Sequence, residues 1–212
     1  MQKCPISNFP LGFDLARDHD HSAIATMALR QVHDGPFDRV QYVQPVRPIL
    51  ELGGLDRLPL GMRYLDVVQY LRQIITRLKS SHPFGHREPP IWLVLDAAGP
   101  GQVVRELIRD QHLGVNVVPL LLSGGLEPGI SPSGTATVPR RQLVNNLRLM
   151  LELETLRIHR GLRFGPFLEK EISSIRPDAG QYEHDDLAIA AALAAWHATR
   201  IAPGLRTAAT AC

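Results

Sequence analysis

Four aspartates stand where a folded chain could bring carboxylates together. Asp14 lies inside an alternating segment, Asp96 closes an apolar run, and Asp185 with Asp186 opens an alanine-rich segment. Converging carboxylates repel one another unless a cation neutralises them. Oxygen ligands without His or Cys favour Mg²⁺ or Mn²⁺ over zinc. Two such ions, about 3.5–4 Å apart, stabilise the attacking and leaving oxygens of a phosphodiester. The four aspartates therefore predict a two-metal catalytic site for phosphodiester hydrolysis.

Each of these aspartates also has a simpler structural explanation when it is taken alone. Asp96 would serve as a turn residue, and Asp185 or Asp186 as a helix cap. Asp14 is harder to explain in this way, because a carboxylate inside an apolar strand is costly without a partner. The three positions together, in this order along the chain, favour the metal site.

The first half of the chain predicts a meander of strands followed by a helix. Large and small residues alternate over residues 11–16, which predicts a strand with Asp14 inside it and open space beside Gly12. Strands follow at 22–29 and around 39–46, and the Pro/Gly-rich stretch 47–61 is expected to be a connection. Apolar residues at helical spacing then predict an amphipathic helix over 63–79.

The second half predicts alternating strands and helices. The apolar run at 91–96 predicts a central strand buried on both faces, and Pro119 places the next strand, 115–122, at a sheet edge. The remaining predictions are a helix from Val103, a long loop at 123–139, and helices at 141–156, 167–175 and 187–198. The fold class is therefore α/β: an antiparallel three-strand meander plus two parallel strands in one mixed sheet, with helices on both faces. Ligands bind such sheets at the carboxyl ends of their strands.

Composition limits the class of protein. The 212 residues carry 23 Lys and Arg against 21 Asp and Glu, a net charge of +2, and 44% are hydrophobic. This excludes a disordered polyelectrolyte and a binder that is basic over its whole surface. Cys4 and Cys212 have no metal-ligand spacing, which predicts a reducing compartment, and no apolar run approaches the ~20 residues of a membrane span. We expect one soluble, intracellular domain over residues 1–212, with a core at about 9–200.

Other catalytic motifs are weaker or absent. No G-x-x-x-x-G-K-[ST] loop occurs, and Gly99-x-Gly101 lacks the third glycine of a dinucleotide-binding turn. His19 and His21 are expected to lie in a solvated turn. Neither cysteine has a nearby His partner, which argues against a thiol nucleophile.

Arginines are concentrated in one stretch of the chain. Two glutamates oppose six arginines, a local excess of four positive charges: Arg140, Arg141, Arg148, Arg157, Arg160 and Arg163. One interpretation is a phosphate-binding rim, with the 123–139 loop reaching over a duplex. The other is a solvated helix face, since 20 Arg against only 3 Lys are also typical of codon bias in a GC-rich genome.

Four segments, in order, resemble the nuclease domain of the large terminase subunit of tailed bacteriophages. They are FDLARDHDHSAI at 13–24, LVLDAAGPG at 93–101, VPRRQLV at 138–144 and HDDLAIA at 184–190. The resemblance implies a ribonuclease H-like fold and an endonuclease that cuts concatemeric viral DNA during genome packaging. It implies that Asp14, Asp96, Asp185 and Asp186 are catalytic residues that bind Mg²⁺ or Mn²⁺, and that Arg140 replaces a common lysine.

The resemblance also implies a substrate, a cellular compartment and a set of partners. The substrate would be double-stranded DNA in the cytoplasm of a bacterial host. The partners would be the ATPase half of the terminase, the small terminase subunit and the portal protein. No ATPase domain is present, so we expect either an excised domain, a gene fragment or a separate nuclease.

Two other functions remain open. A Holliday-junction resolvase or transposase-like nuclease would share this fold. An inactive, prophage-derived binding module for DNA or protein should have lost one of the carboxylates, and none is lost here.

Overall fold

The structure is a computed structural model that describes residues 5–16, 21–42, 44–81, 88–175 and 185–206. Its strands are β1 (Ile6–Asp14), β2 (Ala23–His33), β3 (Val46–Arg57), β4 (Ile91–Asp96), β5 (Asn116–Ser123), β6 (Gly129–Ile130), β7 (Ala136–Pro139) and β8 (Leu156–Ile158). Its helices are α1 (Tyr64–Ser80), α2 (Pro100–Asp110), α3 (Arg140–Glu152), α4 (Gly165–Ser174) and α5 (Asp186–Ile201), followed by a 3₁₀ turn (Pro203–Arg206). Cys4, Cys212, His19 and His184 lie outside the described residues.

The strands form one mixed sheet in the order β6-β7-β5-β4-β1-β2-β3-β8. β1, β2 and β3 are an antiparallel meander. β4 pairs parallel to β1, β5 to β4 and β7 to β5. The predicted α/β class, with its meander and central β4, is confirmed, and it matches a ribonuclease H-like fold.

Helices cover both faces of the sheet. The two helices α1 and α2 pack on one face, over the apolar side chains of β1 and β4. The other face is covered by α3 and α5, with α4 packed against α5. A helix that is apolar all round must be buried, and α5 is buried along almost its whole length. Its alanines leave room for the sheet to approach closely.

The third strand does not lie where the sequence pattern predicted it. Residues 39–42 form a turn, in which the Asp38 carboxylate accepts the backbone N–H groups of Val40 and Gln41. The expected connection at 47–61 is instead mostly β3. Its glycines mislead the prediction because Gly53 is the extra residue of a β-bulge, where the partner register shifts between Thr26 and Met27.

Pro119 does not place β5 at an edge, because β5 lies between β4 and β7. The carbonyl of Leu120 accepts the N–H of Ala97 beyond β4, so the neighbouring Pro119 points its backbone towards β7. Pairing with β7 begins only at Leu120, and the missing N–H therefore costs no ladder bond. The expected loop at 123–139 contains β6 and β7.

None of the helices in the described ranges combines the length and apolarity needed to cross a bilayer.

Candidate active site

The strands β1, β4, β5 and β7 run parallel to one another, so their carboxyl ends lie at one edge of the sheet, which we call the carboxyl edge. Asp14 is the last residue of β1, and Asp96 is the last residue of β4. The register pairs Phe13 with Leu95, so the two aspartates follow at the same level of neighbouring strands. Asp14 thus ends its strand rather than lying inside it.

Gly12 allows α5 to lie directly against β1. A Cβ at Gly12 would be 1.8 Å from the carbonyl oxygen of Ala190, which no side chain can tolerate. The expected open space beside this glycine is therefore filled by the backbone of α5. Side chains two apart on a strand share a face, so Asp14 is on the face that α5 covers. The same approach brings the start of α5, with Asp185 and Asp186, towards β1.

A second glycine sets the surroundings of Asp96. A Cβ at Gly101 would be 1.8 Å from the carbonyl oxygen of Asp96, so the first turn of α2 lies against the end of β4. The backbone N–H of Ala98 donates to Asp96 Oδ1 at 3.0 Å. This hydrogen bond orients the carboxylate.

Burial dominates the electrostatics of Asp14. It raises the pKa of this carboxyl well above the usual range, and the Arg140 guanidinium opposes the rise. The charges of Asp185, Asp96 and Asp186 raise this pKa further, in that order. Asp14 is therefore within electrostatic reach of all three other predicted site residues.

Asp96 behaves in the same way. Burial raises its pKa, whereas backbone hydrogen bonds from Ala98 and Leu122 and the charge of Arg140 oppose the rise. Arg140 thus acts on both strand-end aspartates.

Arg140 lies among these carboxylates because it directly follows β7 at the carboxyl edge. Its Nη2 forms an ion pair with Asp185 Oδ2, but the geometry leaves that buried oxygen without a hydrogen bond. We call Asp14, Asp96, Asp185 and Arg140 the edge cluster. It holds three carboxylates against one guanidinium.

Asp186 faces a different partner. Arg57, at the end of β3, donates from Nε to Asp186 Oδ2 at 2.8 Å and from Nη2 to Asp186 Oδ1 at 2.9 Å. The same Nη2 donates to Glu171 Oε1 of α4. We call Arg57, Glu171 and Asp186 the buried clamp. Burial, more than the charges of Asp186 and Asp185, raises the pKa of Glu171 to about 7, although Ala188 and Arg57 oppose the rise.

The sequence analysis missed two members of the clamp. Arg57 fell in a segment that was expected to be a connection, and Glu171 carried no motif. The only sequence signal was a glutamate within the apolar pattern of a short helix, where a buried carboxylate needs a partner.

The donors of the edge cluster suit a hard cation in their chemistry. All are carboxylate oxygens, they carry excess negative charge, and the buried Asp185 Oδ2 contacts Arg140 without forming an aligned hydrogen bond. As placed, no three acidic, His or Cys side chains among the described residues are gathered tightly enough to enclose an ion. Arg140 already contacts Asp185, so a cation would replace this guanidinium as the partner of the carboxylate.

The six arginines do not form one rim. Arg140 and Arg141 lie at the carboxyl edge, and Arg141 donates to the carbonyl of Leu126 at 3.3 Å. Arg148 instead donates to the carbonyls of Ile172 and Ile175, which ties α3 to the end of α4.

Two of the other three arginines, Arg157 and Arg160, lie on the other face of the sheet. Arg163 lies over the ring of Phe164. Arg157 and Arg160 line a groove beside α1, on the sheet face opposite to α3.

The fold is that of terminase nuclease domains. The large terminase nuclease from thermophilic phage G20c, solved with bound zinc, matches with a TM-score of 0.51 and 20% identity over 88% of this chain and 79% of that one. The human cytomegalovirus terminase nuclease domain, Mn-soaked and inhibitor-bound, matches with a TM-score of 0.56 and 12% identity over 93% and 86% of the two chains. No family model and no curated protein sequence matches this chain.

Proposed function

We propose that this chain is a metal-dependent endonuclease that cuts double-stranded DNA during viral genome packaging. The observation that carries the proposal is the edge cluster, because three carboxylates from β1, β4 and the start of α5 converge where ligands bind such sheets. The fold it shares with phage and cytomegalovirus terminase nucleases supports the same reaction class. The substrate would be met in the cytoplasm of an infected host, beside the terminase motor, the small subunit and the portal.

In this proposal Asp14, Asp96 and Asp185 hold the metal ions, and Asp186 supports them from the clamp. Two Mg²⁺ or Mn²⁺ ions would supply an activated water and charge stabilisation at the departing 3′ oxygen. The chain's own residues position that chemistry. Asp96 is held by the Ala98 N–H, and Asp14 is held between β4 and α5. Arg140, which lies beside Asp185 at the same edge, would contact a phosphate of the DNA.

The raised pKa of Asp14 fits a metal ligand. Burial and, to a lesser extent, neighbouring negative charge disfavour its ionised form, and a divalent cation bound there would favour that form. The charge that destabilises the edge cluster by itself is therefore the charge that binds the ion.

The test is cleavage of supercoiled plasmid with Mn²⁺, with Mg²⁺ and with EDTA. We expect cleavage with either metal and none with EDTA. Asp14→Asn keeps the shape but removes the charge, so cleavage should fall by more than about 100-fold, beyond what losing an outer-shell partner costs. Asp110→Asn, at an exposed carboxylate ending α2, is the matched control. Cleavage in EDTA, or full activity of Asp14→Asn, would refute the proposal.

A second measurement separates binding from cutting. An ion that binds only the folded chain stabilises it by about 2.7 kcal/mol at a hundredfold excess over Kd. Millimolar Mn²⁺ should therefore raise the Tm of the wild type and of Asp110→Asn, and raise that of Asp14→Asn much less. Preference for a four-way junction over linear duplex would indicate a resolvase instead.

A further inference from the structure

The first turn of α5 is capped from another helix. The first N–H groups of a helix have no partner inside it, and Asp185, the N-cap residue, supplies no side-chain hydrogen bond. Glu171 of α4 supplies one instead, because its Oε2 accepts the N–H of Ala188 at 2.9 Å. The position of α4 is thereby coupled to the start of α5.

Arg57 extends this coupling to the sheet. Its guanidinium holds both oxygens of Asp186 and also reaches the second oxygen of Glu171. These three residues come from β3, α4 and α5, which are far apart in the chain. One side chain therefore joins three elements at the residue next to Asp185.

The clamp is buried, unlike most ion pairs at protein surfaces. Arg57, Glu171 and Asp186 keep 17%, 8% and 1% of their side-chain surface. Removing charges from water costs about as much as their attraction returns, so a buried ion pair contributes little net stability over an apolar replacement. What such a pair does supply is a defined geometry, since a planar guanidinium binds a carboxylate in one orientation.

We infer that Arg57 is a positioning residue for the proposed metal site, a role that rests on the proposed function. By holding Asp186 and Glu171 together, Arg57 sets the direction of the first turn of α5. Asp185 directly precedes that turn, and its carboxylate consequently lies towards Asp14 and Arg140. Residues that orient a metal ligand in this way change metal affinity by about 10–100-fold when they are replaced.

The experiment compares Arg57→Lys with the wild type in Mn²⁺ titrations of the whole chain. Lysine keeps the charge, but it cannot hold both oxygens of Asp186 in a plane. Free Mn²⁺ is measured by electron paramagnetic resonance, which gives both the number of sites per chain and their affinity. We expect the affinity to fall by about 10–100-fold with the number of sites unchanged. Cleavage should recover at high Mn²⁺, with the KM for DNA unaltered.

A purely structural role predicts a different result. A variant that is partly unfolded has fewer sites per chain, and the remaining sites keep the wild-type affinity. Arg30→Lys is the matched control, because Arg30 forms a half-buried pair with Glu51 at 2.9 Å. In the sheet, Arg30 of β2 lies opposite Ile6 of β1, which is at the other end of β1 from Asp14. We expect this control to bind Mn²⁺ as the wild type does.

Each outcome decides between the alternatives. Wild-type Mn²⁺ affinity in Arg57→Lys would overturn the positioning role and leave the proposed function standing. A wild type that neither binds Mn²⁺ nor cuts DNA would overturn both. Should Arg57→Lys fail to fold, Arg57→Gln, which keeps one donor for Asp186, must show the same loss of affinity at full site number.

Discussion

The edge cluster and the buried clamp each combine one arginine with buried carboxylates, but they differ in how fully those carboxylates are hydrogen-bonded. In the clamp, one arginine satisfies both oxygens of Asp186 and one oxygen of Glu171, and backbone N–H of Ala188 satisfies the other. In the edge cluster, one arginine faces three carboxylates, and a buried oxygen of Asp185 has no hydrogen bond. The two clusters are one residue apart along the chain, at Asp185 and Asp186.

Under the proposed function, this difference separates a structural use of charge in the clamp from a functional one in the edge cluster. A buried carboxylate that is not fully hydrogen-bonded costs free energy, and we propose that the edge cluster is retained despite this cost because it binds a metal ion. The clamp is satisfied by the protein itself. In our proposal, a metal ion completes the edge cluster.

The sharpest test of this comparison replaces each of the two adjacent aspartates, Asp185 and Asp186, by asparagine in turn. Asp185→Asn should reduce metal-dependent cleavage by more than about 100-fold, with little loss of stability, because removing one of three repelling carboxylates offsets the loss of its ion pair with Arg140. Asp186→Asn should lower the free energy of unfolding by up to about 3 kcal/mol, since it weakens a buried pair while Glu171 still partners Arg57. Plasmid cleavage and urea unfolding measure the two effects.

The losses of cleavage and of stability in these two variants show whether Asp185 and Asp186 have different roles. If Asp186→Asn loses as much cleavage as Asp185→Asn at saturating Mn²⁺ and keeps its stability, Asp186 is itself a ligand and the division between the clusters is wrong.

The next largest effect concerns the approach of α5 to β1. Gly12→Ala would place a methyl group 1.8 Å from Ala190 O, so α5 and Asp185 must move away from Asp14. A misplacement of about 1 Å can cost about 100-fold in rate, and overpacking costs about 1–3 kcal/mol. Cleavage and Tm should both fall. Gly53→Ala is the control, because a Cβ there meets nothing within 4 Å.

Equal losses in Gly12→Ala and Gly53→Ala would show that strand formation, rather than the close approach of α5 to β1, limits activity.

The clamp predicts a pH dependence of stability. Burial raises the pKa of Glu171 from 4.5 to about 7, so the folded state favours the protonated form. This contribution is fully present below pH 4.5 and is lost as the pH rises through 7. Glu171→Gln stays neutral, so without metal its Tm relative to wild type should rise between pH 5 and pH 8.

The control for this measurement is Glu169→Gln, at an exposed position of the same helix, whose Tm difference from wild type should not change with pH. A pH-independent difference for Glu171→Gln as well would mean that Glu171 is ionised in the folded chain over the whole range.

Patterns within one element were predictable from the sequence. The apolar run that ends at Asp96 gave β4 with the bounds seen in the structure, and the helical spacing placed α1 within one residue. The meander also followed, apart from the position of its third strand, because the order of elements limits how strands can pair.

Features that depend on contacts between distant residues were not predictable. Gly53 looked like a loop signal, although it forms a bulge that only the partner register reveals. Arg57 and Glu171 are 114 residues apart, and neither has a local pattern that indicates the other. Arg57 binds Asp186, whereas Asp185 pairs with Arg140. Because neither contact is visible in the sequence, the two aspartates were predicted to act as one pair.

The smallest expected effect tests which arginines contact DNA. Each phosphate neutralised on B-DNA contributes about −0.9 to the slope of log K against log salt. Replacing Arg140 and Arg141 together with Ala should flatten that slope by about one to two units, measured by fluorescence anisotropy in EDTA, where no cleavage occurs. The loss should be nearer one unit, because Arg140 is already paired with Asp185 when no metal is bound. Contacts to phosphate carry no sequence information, so binding to all duplex sequences should weaken alike.

The matched control replaces Arg157 and Arg160, which line the groove beside α1, and should leave the slope unchanged. The reverse result, with the slope changed only by the control pair, would move the DNA surface to the opposite face of the sheet and separate it from the edge cluster.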